Sequence, residues 1–434
     1  MCREMCIRPL VLGWAIVGLG SFVSPLQAEP VGLSAQAILR ELDCRGGIAA
    51  LVGDREASLA IELARQSELL VYVQLDSADE SAAARRALDD AGLLNRRVYV
   101  EHGSKSRIHL ADHLADVVVA CALQTPPETE RELLRVLRPG GKAWLRGEVV
   151  SKPQPDGVGA WSHPYHGPDN NPVSIDTRAK APYQTQFLAE PYYVPLPAVT
   201  VIAAGRVFKA FGHVGFKERE WPWLNTLAAF NGYNGALLWR RGLTEGFNIH
   251  RNTMVAAGKT LYVADDVSCK LFDAATGKPA GEILAPPEAS GKVWKWMALC
   301  GDVLYAVVGA EEYRDATLRG KKTSAGWPWR PMTEGYDREE TSWARGATFF
   351  ATDLRTRQVL WRQNEPQPVD GRAVCMADGK IFFYAHRRYL ACRDAQTGRE
   401  LWNRSDRELL EAIGEHAKNQ IWHRGFSTQA YLMY

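Results

Sequence analysis

Leu390-Ala-Cys-Arg-Asp394-Ala-Gln-Thr-Gly398-Arg-Glu-Leu401-Trp402 decides the reading of the fold, because it is one copy of a recurring unit. An apolar strand runs into Asp, a Thr-Gly turn reverses the chain, and a second strand closes on Trp. Related copies are Leu271-Phe-Asp273-Ala-Ala-Thr-Gly277, Phe350-Ala-Thr-Asp353 through Leu360-Trp361, and Leu227-Ala-Ala-Phe-Asn231 through Gly235 to Leu238-Trp239. Each follows another hairpin with its own glycine: Val201 to Phe208 around Gly205, Val255 to Tyr262 around Gly258, Ala298 to Tyr305 around Gly301, Val374 to Phe383 around Gly379. The turns supply the positive-φ positions that tight hairpins need, and the Asp side chain can accept from turn amides. The terminal Trp is a flat group able to fill the space between neighbouring sheets. Two hairpins per unit predict four-stranded blades of a β-propeller over 199–434. A blade takes roughly 40 to 50 residues, so the long interval from Gly301 to Gly379 holds an insertion, about Ala310 to Arg345.

Only four units can be counted, and the sequence stops within the apolar run Gln429 to Tyr434. The propeller is therefore expected to be incomplete. The other solution is a small four- or five-bladed ring closed through Val173 to Pro197.

Tryptophan marks the boundary upstream. Of the 14 in the chain, only Trp14 and Trp144 precede residue 160. Residues 1–28 read as a signal peptide: Arg3 and Arg8, then an uncharged apolar run from Leu10 to Val23, then Leu26-Gln27-Ala28 before Glu29. This predicts an exported chain, periplasmic or extracellular, with no further membrane span. A formal net charge of +2 argues against a nucleic-acid partner. Six cysteines remain after cleavage with no Cys-x-x-Cys or adjacent pair, and they read as free thiols in strands.

Between 29 and 150, apolar runs alternate with helical patterns. Strands are predicted at Ile48–Val52, Leu69–Leu75, Arg97–Glu101, Val117–Ala120 and Lys142–Leu145. Helices are predicted at 57–67, 81–91 and 128–137, with a turn at Pro139-Gly140-Gly141. This alternation gives a parallel α/β sheet of Rossmann type. Ligands of such sheets bind beyond the carboxyl ends of the strands.

This first domain resembles class I S-adenosylmethionine (SAM)-dependent methyltransferases. The likeness rests on Val52-Gly53-Asp54-Arg55-Glu56 after the first strand, on Asp76 ending the second, and on Leu133-Leu-Arg-Val-Leu-Arg-Pro-Gly-Gly141. The resemblance implies that Gly53, Asp54 and Asp76 are cofactor-binding positions. The family's glycine-rich loop is reduced to Gly53, so the domain is read as degenerate and no cofactor is expected to be held. The repeat from 199 resembles the pyrroloquinoline-quinone (PQQ) repeat of quinoprotein alcohol dehydrogenases, which also builds non-catalytic propellers. The joined arrangement resembles proteins of planctomycete-type bacteria. Residues 151–198 form a linker and the approach to the propeller, with Trp161-Ser-His-Pro-Tyr-His-Gly-Pro-Asp-Asn-Asn-Pro172 as its opening.

Catalysis by PQQ would need Ca²⁺ held by several oxygens together. The acidic doublets Asp265-Asp266, Glu311-Glu312 and Glu339-Glu340 read instead as solvated charges. His163 and His166 sit in a loop, and His416 and His423 have no partner in sequence. Trp221-Pro-Trp223 and Trp327-Pro-Trp329 present flat rings on stiff backbone. They are the candidates for stacking on a partner, with self-burial as the plainer alternative. The expected function is a binding module with a protein or carbohydrate partner on the propeller face. A PQQ-dependent dehydrogenase fragment and an active SAM-dependent methyltransferase are the alternatives.

Overall fold

Strands buried on both faces need continuous apolar sequence, and the first sheet follows that rule. Its strands are β1 (Gly46–Val52), β2 (Glu68–Leu75), β3 (Val98–His102), β4 (Ala115–Ala120), β5 (Leu137–Leu145) and β6 (Glu148–Ser151). The order is β3-β2-β1-β4-β5-β6, all parallel except β6, so the strand order reverses between β1 and β4. Helices α1 (Ala35–Leu42), α2 (Ser58–Gln66), α3 (Ala78–Asp90) and α4 (Pro127–Val136) complete the domain. The computed structural model describes residues 34–121, 126–192, 196–215, 217–245, 252–311, 318–319, 344–413 and 432–434. The signal peptide, Trp327, Trp329, Glu339-Glu340, His416 and His423 lie outside these residues.

Two elements escaped the sequence reading, α1 and β6, and one was misread. Pro139-Gly140-Gly141 is not a turn ahead of the fifth strand but an excursion within it. Ala115 pairs with Leu137 and Val117 with Lys142, so residues 138–141 bulge opposite the single residue Asp116.

Four antiparallel blades follow. The first holds β7 (Leu196–Ala203), β8 (Arg206–Gly215), β9 (Thr226–Asn231) and β10 (Leu237–Gly242). The second holds β11 (Met254–Ala257), β12 (Thr260–Ala264), β13 (Ser268–Asp273) and β14 (Pro279–Leu284). The third holds β15 (Val293–Cys300), β16 (Val303–Gly309), β18 (Arg345–Asp353) and β19 (Val359–Asp370), with β17 (Leu318–Arg319) inside its insertion. The fourth holds β20 (Val374–Ala377), β21 (Lys380–Ala385), β22 (Tyr389–Asp394) and β23 (Glu400–Arg404). The insertion reaches the first blade, where β17 pairs in parallel with Val214–Gly215. Every hairpin of the repeat is thus realised in its expected place.

Contacts between blades account for two of the turn glycines, Gly277 and Gly398. Trp239 and Trp361 occupy equivalent positions, opposite Ala229 and Ala351 in their ladders. Trp239 Nε1 donates to the Ala274 carbonyl at 3.1 Å, and Trp361 Nε1 to the Ala395 carbonyl at 2.8 Å. Each indole lies against the turn glycine of the next blade. A Cβ added to Gly277 would fall 2.6 Å from Trp239, and one added to Gly398 would fall 2.5 Å from Trp361. The second blade has Gly281 at the tryptophan position, opposite Leu271. The third blade correspondingly has Arg357 at the turn position, with φ +61°. Gly277 and Gly398 are thus the turn glycines that a tryptophan reaches, whereas Gly235 of the first blade lies against Phe187 and Ala189. Gly398→Ala is expected to cost about 2–3 kcal/mol from overpacking and a strained positive φ. Adding Trp361→Ala should recover part of the overpacking loss. A denaturation double-mutant cycle that showed no coupling would refute this packing rule.

Residues 161–170 lie across one end of the inner strands. The penultimate residue of each inner strand donates its backbone N–H to this segment. Ile202 donates to the Trp161 carbonyl, Ala256 to that of Ser162, Leu299 to His163 Nε2, and Met376 to the Pro168 carbonyl, at 2.7, 2.9, 3.1 and 2.7 Å. An inner edge strand leaves such donors unpaired, and this tether pairs one in every blade. His163 is buried, and burial, followed by the neighbouring His166, pushes its pKa down to about 3. It is neutral, with Nε2 accepting and Nδ1–H left to donate to Ser162 Oγ at 2.8 Å.

Candidate functional site

Gly53, Asp54 and Asp76 do come together at the carboxyl ends of β1 and β2, beside the reversal of strand order. Gly53 has φ +87° with open space where a Cβ would stand. Asp54 is buried and turns inward, its Oδ2 accepting from the Ala60 N–H at 2.8 Å in the first turn of α2. Desolvation raises its pKa, against the amides of Ala60 and Leu59. The helix terminus that would face an anionic ligand group is thus met by the chain's own carboxylate. Asp76 Oδ2 is bound by Lys105 Nζ at 3.0 Å, and that hydrogen bond lowers its pKa. Arg55 pairs with Glu80 at 3.2 Å. Beneath them Gln74, fully buried, donates to the carbonyls of Ser104 and Arg107 at 2.7 and 2.8 Å and accepts from the His109 N–H at 3.0 Å. These residues do not fit the nucleoside cofactor of the resembled family. The acid due to meet its ribose holds a lysine, and the loop acid holds a helix.

The most heavily hydrogen-bonded carboxylate of the domain lies at the opposite ends of the same strands. Asp116, in β4, is buried and takes four donors. Oδ1 accepts from Arg138 Nε and Asn231 Nδ2, each at 2.5 Å. Oδ2 accepts from the Ile48 N–H at 2.9 Å and from Asn234 Nδ2 at 2.8 Å. Room for it comes from Gly47, where a Cβ would fall 2.1 Å from Oδ2, and from the bulge that carries Arg138. The two asparagines belong to the turn between β9 and β10, so Asp116 joins the α/β sheet to the first blade. Asn234 Nδ2 also reaches the Leu114 carbonyl at 2.8 Å, and Tyr233 Oη donates to Gln154 Oε1 at 3.0 Å.

The other turns show what the first blade changed. Asp273, Asp353 and Asp394 each accept from the Thr amide three residues on, at 2.8 Å. Asn231 keeps the acceptor role, taking the Tyr233 N–H at 2.9 Å on Oδ1, and turns its amide toward Asp116. Sequence reasoning missed this junction. Its signals were a lone acid in the apolar run Ala115–Ala120 and Asn-x-x-Asn-Gly standing where the repeat has Asp-x-x-Thr-Gly.

The stacking candidates within the described residues divide. Trp223 is buried between Phe211 and Phe230, with centroids 5.3 and 6.1 Å away and the Arg240 guanidinium 4.9 Å over its ring. It offers no face to a partner, because the short 3-10 helix Glu218–Trp223 folds it onto the blade. Trp221 is half-buried. Asp265, read as a solvated charge, is also buried: it pairs with Lys270 Nζ at 2.5 Å and caps the Thr244 N–H at 2.8 Å. Asp370 is likewise held by the Arg372 fork at 2.9 and 3.0 Å. These acids are engaged by cations of the chain, and among the described residues no three His, Cys, Asp or Glu converge as metal ligands. The six cysteines from Cys44 onward are free thiols.

The model of the family described as outer membrane protein assembly factor BamB matches residues 346–421, which take in β18 and β19 of the third blade and the four strands of the fourth. No curated protein matches the chain. Among solved structures, a SAM-dependent methyltransferase from Methanococcus maripaludis is similar at 26% identity, over 25% of this chain and 51% of that one, with a TM-score of 0.24. One from Aquifex aeolicus is similar at 19% identity, over 25% and 61%, with a TM-score of 0.23. BamB from Moraxella catarrhalis is similar at 12% identity, over 47% of each chain, with a TM-score of 0.29. The chain spans about half the length of the structures it matches.

Proposed function

We propose that this is an exported interaction module, in which the propeller binds a protein partner and the α/β domain orients it. The observation that carries the reading is the commitment of the α/β domain's own acids. Asp54 caps α2 and Asp76 pairs with Lys105 at the strand ends where a nucleotide would sit, while Asp116 fastens the domain to the first blade. A degenerate enzyme domain kept for docking has this distribution. The choice of a protein partner is supported by residues 346–421, which match a family described as an outer membrane protein assembly factor. Export rests on the N-terminal sequence pattern, and among the described residues no helix is long and apolar enough to cross a membrane.

Thermal unfolding of the full chain with SAM, and separately with PQQ plus Ca²⁺, tests the reading. A ligand at a hundred times its Kd adds about 2.7 kcal/mol to whatever it binds. For a unit of 150–250 residues that is roughly 5–10 °C. The expected result is no shift with either. A shift with SAM would restore the crevice as a working site, and a shift with PQQ and Ca²⁺ would make the propeller a dehydrogenase. Fractionation of a bacterium expressing the whole chain tests export, which uncleaved chain found only in the cytoplasm would refute.

A further inference from the structure

We propose that the cleft between the α/β sheet and the first blade binds a small organic anion carrying a carboxylate or phosphate group, with Arg206 as its charged contact. The cleft has a volume of about 560 Å³, within the range of small-molecule sites. Its walls are Arg138 and Arg206, the side chains of Gln154 and Tyr233, and backbone at Gly140 and Gly205. No Asp or Glu lines it. It lies beside Asp116, at the ends of the strands opposite the Gly53 crevice, so the nucleoside cofactor implied by the first resemblance would not occupy it.

The two arginines differ. Arg138 is neutralised by Asp116. Arg206 makes a hydrogen bond to the Ala204 carbonyl at 3.2 Å and forms no ion pair among the described residues. Asp273 and Asp116 act on it only at a distance, and each is held elsewhere, Asp273 by Thr276 at 2.7 Å and Asp116 by its four donors. Burial, followed by repulsion from Arg138, lowers its pKa. A half-buried guanidinium with no carboxylate partner and a second guanidinium nearby favours an incoming anion, and its planar fork matches carboxylate and phosphate alike. Gln154 uses Oε1 to accept from Tyr233, so its amide group remains a donor at the rim. Pro155, Val158 and Val207 supply an apolar wall for the body of the ligand. Both domains contribute, so the ligand would bridge the junction.

Titration calorimetry on the full chain at constant ionic strength, with inorganic phosphate, succinate and benzoate as probes, tests this. Binding of at least one probe is expected, weakened at least tenfold in Arg206→Gln and less in Arg206→Lys, with Arg399→Gln unchanged. Phosphate alone would assign a phosphate ester, and the carboxylates alone an organic acid. Circular dichroism and the unfolding midpoint of each variant separate loss of binding from loss of fold. The proposal is overturned if no probe binds at 10 mM, or if folded Arg206→Gln binds as well as the parent.

Discussion

Asp116→Ala is expected to loosen the α/β domain from the first blade and to cost the docked chain about 3–5 kcal/mol. The substitution leaves the Arg138 guanidinium, 18% exposed, without its carboxylate. It also strips an acceptor from the Ile48 N–H and from two asparagine amides at once. Buried donors left without partners each cost about 1–3 kcal/mol, and a charge costs more. Denaturant unfolding followed separately by Trp144, in the α/β sheet, and by the propeller tryptophans should split into two transitions. Asn231→Asp is the sharper test. It gives the first turn the acid that the other three turns carry, so the turn itself is retained. It also sets a second carboxylate against Asp116, and undocking is expected with the blade intact. Exchanging the pair, Asp116→Asn with Asn231→Asp, keeps one carboxylate beside Arg138 and should recover part of the loss. A single unshifted transition in Asp116→Ala would show that the junction is held by something else.

The same residues show how far the sequence could be read. The propeller was legible because each blade repeats one solution to one local problem, an Asp-capped turn followed by a strand. Periodicity exposes such a solution even in a single chain. The α/β sheet was legible because strands buried on both faces must be apolar throughout, as Val71, Val73, Val118 and Val119 are. The junction was not legible, because it depends on residues 115 positions apart in the chain, Asp116 and Asn231, and neither is unusual by itself. Departures from the repeat were the usable trace. Asn231 and Asn234 depart from it because they face a carboxylate, and at Arg357 no tryptophan reaches the turn, which leaves room for a side chain there. Asp265 was misjudged for a related reason. A charge beside a turn reads as solvated unless its counter-charge, here Lys270 five residues on, is recognised as folding back over it.

His163→Ala is expected to remove about 3 kcal/mol from the propeller at neutral pH, through the orphaned Leu299 N–H and the space left by the ring. The parent chain should show a pH dependence that the variant lacks. The folded-state pKa of His163 lies near 3, below the ordinary 6.5. Between those values the unfolded chain binds the extra proton and the folded chain does not. The stabilisation is therefore complete above pH 6.5 and is lost as pH falls toward 3. From pH 7 to pH 5 that amounts to about 2 kcal/mol. Protonation at Nε2 also removes the acceptor for Leu299, so the tether releases the third blade first, while Ile202, Ala256 and Met376 keep carbonyl acceptors that do not titrate. Hydrogen exchange at the Leu299 amide, compared with Ala256 and Met376 across this range, measures it directly. Faster exchange at Leu299 alone on acidification supports the account. Equal protection of all three down to pH 4 would mean that His163 stays neutral without limiting the stability of the inner ring.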